Sequence, residues 1–201
     1  MANSLILAKA QNAVTSHDWT TASRLYKELL RGDESNVSYI EQLGSIYVRA
    51  GQDEKAIPFY EKIIELNTSN TAAMVSLGGI YRRLKRYDES VEILHKAQEI
   101  SNNVSVNYNL GFTYKEMGDY DDAIDSFETV IEQNPDDVLA HNHLGSIYYA
   151  LKDYEKSISA FKRGLQVDRN HPILNYNLAH SYEDLKNYPK VKLLCAFLLS
   201  E

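Results

Sequence analysis

The chain has 201 residues, 44% apolar and 24% charged, which places it among soluble globular proteins and makes it long enough to bury a core without a metal or disulfide. Twenty-one Lys and Arg against 28 Asp and Glu give a formal charge of −7, the wrong balance for the basic footprint that nucleic-acid binding requires. One cysteine, Cys195, excludes an intrachain disulfide and any multi-cysteine zinc or iron–sulfur site.

Along the chain, one six-residue pattern keeps returning. HDWTTA begins at residue 17, GQDEKA at 51, KRYDES at 85, GDYDDA at 118, KDYEKS at 152 and KNYPKV at 186, so successive starts are 34, 34, 33, 34 and 34 residues apart. A second register runs upstream of these turns: Leu43 and Gly44, Leu77 and Gly78, Leu110 and Gly111, Leu144 and Gly145, Leu178 and Ala179. Three residues after each Gly or Ala stands a tyrosine: Tyr47, Tyr81, Tyr114, Tyr148 and Tyr182. Six copies therefore tile the chain as one domain over 1–201, at 3–36, 37–70, 71–103, 104–137, 138–171 and 172–201. The single deletion falls in the polar connector at 101–103.

Each copy reads as two helices. Leu110, Gly111 and Tyr114 share one helical face, and after the turn Ala123, Phe127 and Val130 repeat at i, i+4, i+7. The small residue lets the paired helices approach closely, the tyrosine fills the space between them, and Pro135 stops one copy. No strand alternation and no Gly/Ser linker appears, so the expectation is an all-α chain of about twelve short antiparallel helices. The N-terminus lacks a basic, then apolar, secretion pattern. The longest apolar-rich run, Val191 to Leu199, is broken by Lys192 and is far short of the roughly 20 residues that span a bilayer. Membrane insertion is disfavoured, and the cytoplasm is the default location.

Catalytic and cofactor motifs are missing from the pattern. His141 and His143 are two apart on a helix and diverge, where joint metal ligation needs i, i+4. Cys195 sits at a core position, and no phosphate loop or nucleophile elbow is present. The expectation is no enzyme activity, no cofactor and no metal.

The period and the L-G-x-x-Y … A-x-x-x-F … P pattern resemble the tetratricopeptide repeat family over essentially the whole chain. The fourth copy is the closest match, from Asn109 to Pro135. Copy one departs most, with Ala10 and Ala13 where Gly and Tyr are usual, and copy six has Val191 and Cys195 where Ala and Phe are usual. The resemblance implies a right-handed α-solenoid of six helix-turn-helix units with a concave groove lined by each first helix. It also implies a non-catalytic scaffold that binds a peptide or protein segment there. With the Gly or Ala of each copy as position 8, groove-facing position 6 reads Ala8, Gln42, Ser76, Asn109, His143 and Asn177, a ladder that could pair with a peptide backbone. The alternative is that Tyr-Asn at positions 5 and 6 is simply repeat consensus. Tyr108, Phe112, Leu139, Asn142, Tyr149, Ile173, Tyr176 and His180 add an aromatic lining in copies four to six. Arg49, Arg82, Arg83 and Lys115 supply positive charge in copies two to four, Arg82 and Arg83 reading equally as a solvated helix end. Glu183 and Asp184 make the far rim acidic. No window matches the family's carboxylate clamp, which disfavours a co-chaperone for an acidic tail.

Two surface features remain. Leu193 and Phe197 stand where copies one to five carry mostly polar outer-face residues, and Leu194 awaits a further repeat. Burying the outward pair would contribute roughly 1.5–3 kcal/mol per residue before ordering costs. They are expected to be covered by a second copy, a partner, or residues beyond Glu201, which makes a self-assembling scaffold, or a fragment of a larger multidomain protein, the rival readings. From Asp119 to Asp137 there are eight acidic residues and no basic one, read as a solvated face.

Overall fold

Many helix starts in this chain are set by capping side chains, and the turn inside each repeat runs through a left-handed residue. The computed structural model describes residues 2–186 and Pro189. Among them are eleven α-helices and no strand: α1 (Ala2–Thr15), α2 (Trp19–Gly32), α3 (Val37–Arg49), α4 (Asp53–Leu66), α5 (Thr71–Arg83), α6 (Tyr87–Ile100), α7 (Val104–Met117), α8 (Tyr120–Gln133), α9 (Val138–Ala150), α10 (Tyr154–Val167) and α11 (Pro172–Asp184). The twelfth expected helix, with Leu193, Leu194, Cys195 and Phe197, lies outside the described residues.

Each first helix from α3 onward is capped by the residue just before it. Asn36, Asn70, Asn103 and Asp137 accept from the backbone N–H of Tyr39, Ala73, Val106 and Ala140, and His171 does so from Leu174. The turn inside each repeat uses a positive φ at His17, Gly51, Lys85, Gly118, Lys152 and Lys186, the first residue of each recurring hexapeptide. Only two of these six are glycine. After the left-handed residue, the next N–H reaches back five residues, from Gln52 to the Tyr47 carbonyl at 2.8 Å, Arg86 to Tyr81 at 2.8 Å, Asp119 to Tyr114 at 2.9 Å and Asp153 to Tyr148 at 2.9 Å. This is a Schellman closure. The repeat tyrosine therefore marks the carbonyl on which the turn folds back.

The small residue at position 8 sets how close the two helices come. A methyl group built on Gly44 would meet the Tyr60 ring at 2.8 Å, on Gly78 the Leu94 side chain at 2.7 Å, on Gly111 the Phe127 ring at 2.9 Å and on Gly145 the Phe161 ring at 2.5 Å. Each of these partners is buried. Helices pack on their sequence neighbours, α1 to α6 in one compact unit (residues 1–102) and α7 to α11 in a second (103–201). Leu25, Ile40, Leu43, Ile46, Ile63 and Ile80 core the first unit; Leu110, Phe127, Ile147, Phe161 and Leu174 are among the fully buried side chains of the second. Nearest-neighbour packing of like units is the mark of a solenoid.

Two substitutions test this account of the repeat. Gly145→Ala forces a methyl into a fully buried ring and is expected to cost about 1–3 kcal/mol. Lys152→Gly relieves a left-handed side chain, worth roughly 1–2 kcal/mol, against the added freedom of the unfolded chain, about 0.4–1 kcal/mol. Urea denaturation followed by circular dichroism should move the two midpoints in opposite directions.

Candidate functional site

In the second unit, the first helices α9 and α11 and the second helix α10 enclose a cavity of about 300 Å³ lined by Ser146, Tyr149, Phe161, Tyr176, Asn177 and His180. Phe161 is held by its contact with Gly145 and is only 1% exposed, so this part of the lining is fixed by the core. Tyr149 donates its hydroxyl to Asp184 at 2.5 Å, which with partial burial pushes the phenol up to about 12. Tyr176 is 62% exposed and meets His180 edge-on at 4.5 Å between ring centroids. The Asn177 amide donates to the Asn142 side-chain oxygen at 2.9 Å, tying α11 to α9. Leu139 and Ile173, near the starts of the same two helices, are 54% and 56% exposed. Four of the residues singled out in the sequence, Tyr149, Tyr176, Asn177 and His180, thus line one cavity, and Asn142 braces it.

The other sequence candidates of this unit are placed differently. Tyr108, Phe112 and His143 gather with Phe127 into an aromatic cluster: His143 lies 4.7 Å from Phe112 edge-on and stacks on Phe127 at 5.2 Å. Tyr108 stacks on Phe112 and donates its hydroxyl to Asp137, the cap of α9. Burial, then the Asp137 carboxylate, raises the Tyr108 phenol well above its usual value. Burial, and secondarily the Lys115 charge, pushes His143 down to about 4, with Asp137 opposing. His143 is therefore a neutral ring among rings, not an open rung. Asn109 donates to the Ser105 carbonyl of its own helix at 2.9 Å. Position 6 of this unit does not present a row of free amides; a cross-helix amide pair joins Asn177 to Asn142 at position 5. Lys115 is half-buried, and desolvation lowers its pKa.

In the first unit, Gln42 and Ser76 are half-buried, with the Ser76 hydroxyl donating to the Ala72 carbonyl at 3.0 Å. Arg49 lies 5.7 Å from the Trp19 ring centroid. Arg83 clasps Asp53 with two hydrogen bonds of 2.7 and 2.8 Å, and Arg82 is half-buried. Arg49 and Arg83, both read as groove charge, are thus engaged with their own chain.

Sequence reasoning missed Ser146 and Phe161 as lining residues. Asn142, Ser146 and Tyr149 fall at i, i+4, i+7 on α9, and that spacing was the signal for Ser146; Phe161 reaches the cavity from a second helix. It also missed a run of buried polar residues at position 4. The Asn107 amide donates to the Asn103 carbonyl, Asn175 to those of Arg169 and His171, and His141 Nε2 lies 3.0 Å from the Pro135 carbonyl. All three are at most 3% exposed and pin the connector that precedes their helix. Among the described residues no group of three or more His, Cys, Asp or Glu is arranged to hold a metal, and no helix is long and apolar enough to cross a membrane.

These features define a helical-repeat protein with an aromatic cavity on its first-helix face. The chain belongs to the tetratricopeptide repeat family: a family model described as the tetratricopeptide repeat protein 21 C-terminal ARM domain matches residues 2–139, and a tetratricopeptide repeat model matches 108–172. No curated protein matches it in sequence. Among solved structures it is similar to MamA, with 26% identity, a TM-score of 0.73, and 80% of this chain and 94% of MamA covered. A tetratricopeptide repeat protein from Parabacteroides merdae ATCC 43184 shares the fold at 18% identity and a TM-score of 0.81, over 99% of this chain and 79% of that one. YrrB, described as a TPR protein with an unusual peptide-binding site, shares it at 20% identity and a TM-score of 0.68, over 85% and 89%.

The aromatic cluster has a consequence in acid. Unfolded His143 takes up a proton near its ordinary value of about 6.5, while the folded protein resists protonation until about 4. Its contribution is therefore unchanged above about pH 6.5 and is lost as pH falls from there toward 4. His143→Phe removes this titration. Denaturation at stepped pH should show the variant gaining on the wild type only below about 6.5; parallel stability curves would contradict it.

Proposed function

We propose that the chain is a non-catalytic interaction scaffold whose α9–α11 face takes a segment of a partner protein. The observation that carries this reading is the cavity itself. An exposed tyrosine, a core-held phenylalanine and a braced amide pair sit beside two exposed aliphatic side chains on one face. Exposed aromatic and aliphatic anchors grouped around a few fixed polar groups are what partner recognition uses, because burying them on association is favourable and the polar groups set register. The family consists of interaction scaffolds, and a protein of the same fold, YrrB, is described as having a peptide-binding site; both support the reading.

Peptides enriched on the full chain from a random library provide the test, with affinity followed by titration calorimetry. Tyr176→Ala and Asn177→Ala should each weaken the enriched peptides by about tenfold or more, in line with loss of an aromatic anchor or a buried polar partner. Arg83→Ala, in the other unit, should change binding little. Circular dichroism first establishes that each variant is folded. Undiminished binding to both α11 variants would rule this face out.

A further inference from the structure

Several cations of this chain rest on aromatic rings. In the first unit Lys27 lies 5.4 Å from the Tyr47 centroid, Arg49 5.7 Å from Trp19 and Arg86 4.6 Å from Tyr81. In the second, Lys156 lies 5.3 Å from Tyr148 and Lys162 5.6 Å from Tyr182. Tyr149 and Tyr176 are among the rings that carry no such cation. Both line the cavity, yet no cation lies over either ring among the described residues. Among the described residues no Lys or Arg lines the cavity.

The charge around these two rings has one sign. Asp184 takes the Tyr149 hydroxyl, and Glu183 beside it stands 3.6 Å from His180 Nδ1. Both acids are exposed, and neither is paired with a Lys or Arg among the described residues. From residue 103 onward acidic residues outnumber basic ones 15 to 9, so the surrounding field is negative as well. A cavity that combines an exposed tyrosine ring, an apolar lining and carboxylates nearby is complementary to a cation carried on an apolar stem. It repels a carboxylate and leaves a neutral side chain without a charge partner.

Resting on the proposed function, we infer that this cavity receives a basic side chain, the ammonium of a lysine or the guanidinium of an arginine, presented by the partner segment. The stem packs against Phe161 and Tyr176, and the charged end meets the tyrosine faces and Asp184. Leu139 and Ile173 extend the same helices with exposed apolar surface, so the segment that fits carries apolar residues beside the basic one.

The test is made on the full chain with library-enriched peptides. Their alignment should show Lys or Arg at one fixed position. Replacing that residue by Met should weaken binding about tenfold, and by Glu abolish it. Asp184→Asn should weaken the parent peptide by a similar factor and leave the Met-substituted peptide nearly unchanged, a coupling that general destabilisation does not produce. Peptides that depend on Tyr176 but carry no fixed basic residue, or that lose the same factor on Asp184→Asn with and without it, overturn the inference and leave the binding face standing. Failure to enrich peptides, or peptides indifferent to Tyr176→Ala, overturns both.

Discussion

The structure depends on one contact repeated along the chain: a side chain of the second helix pressed onto a residue of the first that has no side chain. At Gly44, Gly78, Gly111 and Gly145 the partner atoms stand 2.5 to 2.9 Å from where a Cβ would be. A helix interior glycine is disfavoured by about 1 kcal/mol against alanine. Burial of Tyr60, Leu94, Phe127 or Phe161 against it, at roughly 1.5–3 kcal/mol for a large apolar side chain, more than offsets that. The exchange fixes the distance between the paired helices, and the distance fixes where the next pair can dock.

The same contact reaches the cavity. Phe161 is at once the partner of Gly145 and part of the cavity lining, so a core side chain holds one surface of the binding face in place. Asn177 and Asn142 lock α11 against α9. Tyr149 is fixed by Asp184 and meets the Tyr154 ring at 5.6 Å, while Tyr176 keeps most of its surface open. A site assembled from fixed neighbours and one open anchor loses little freedom on binding.

The period and its spacing made most of the fold legible. The residues that open the six hexapeptides are the six left-handed turn residues, and the glycine register coincides with the close helix contacts. The family's groove positions also include Tyr149, Tyr176, Asn177 and His180, which line one cavity. What spacing did not carry is where each side chain turns once it leaves the backbone. Asn109 satisfies its amide on its own helix, His143 is absorbed by Phe112 and Phe127, and Arg83 closes on Asp53 thirty residues away. The last two outcomes follow from a neighbour in another repeat, which a one-dimensional register does not list, and the first from a carbonyl one turn back on the same helix. The buried Asn107, His141 and Asn175 are the reverse case: polar residues in an apolar register whose partners are the connector carbonyls.

The central claim is that the aromatic cavity between α9 and α11 is where a partner segment docks. A crystal structure of the chain with an enriched peptide tests it most directly. The account predicts a peptide side chain inside the cavity, in contact with Tyr149, Phe161 and Tyr176, with the Asn177–Asn142 pair retained. A peptide seated elsewhere, with that cavity empty, would contradict it.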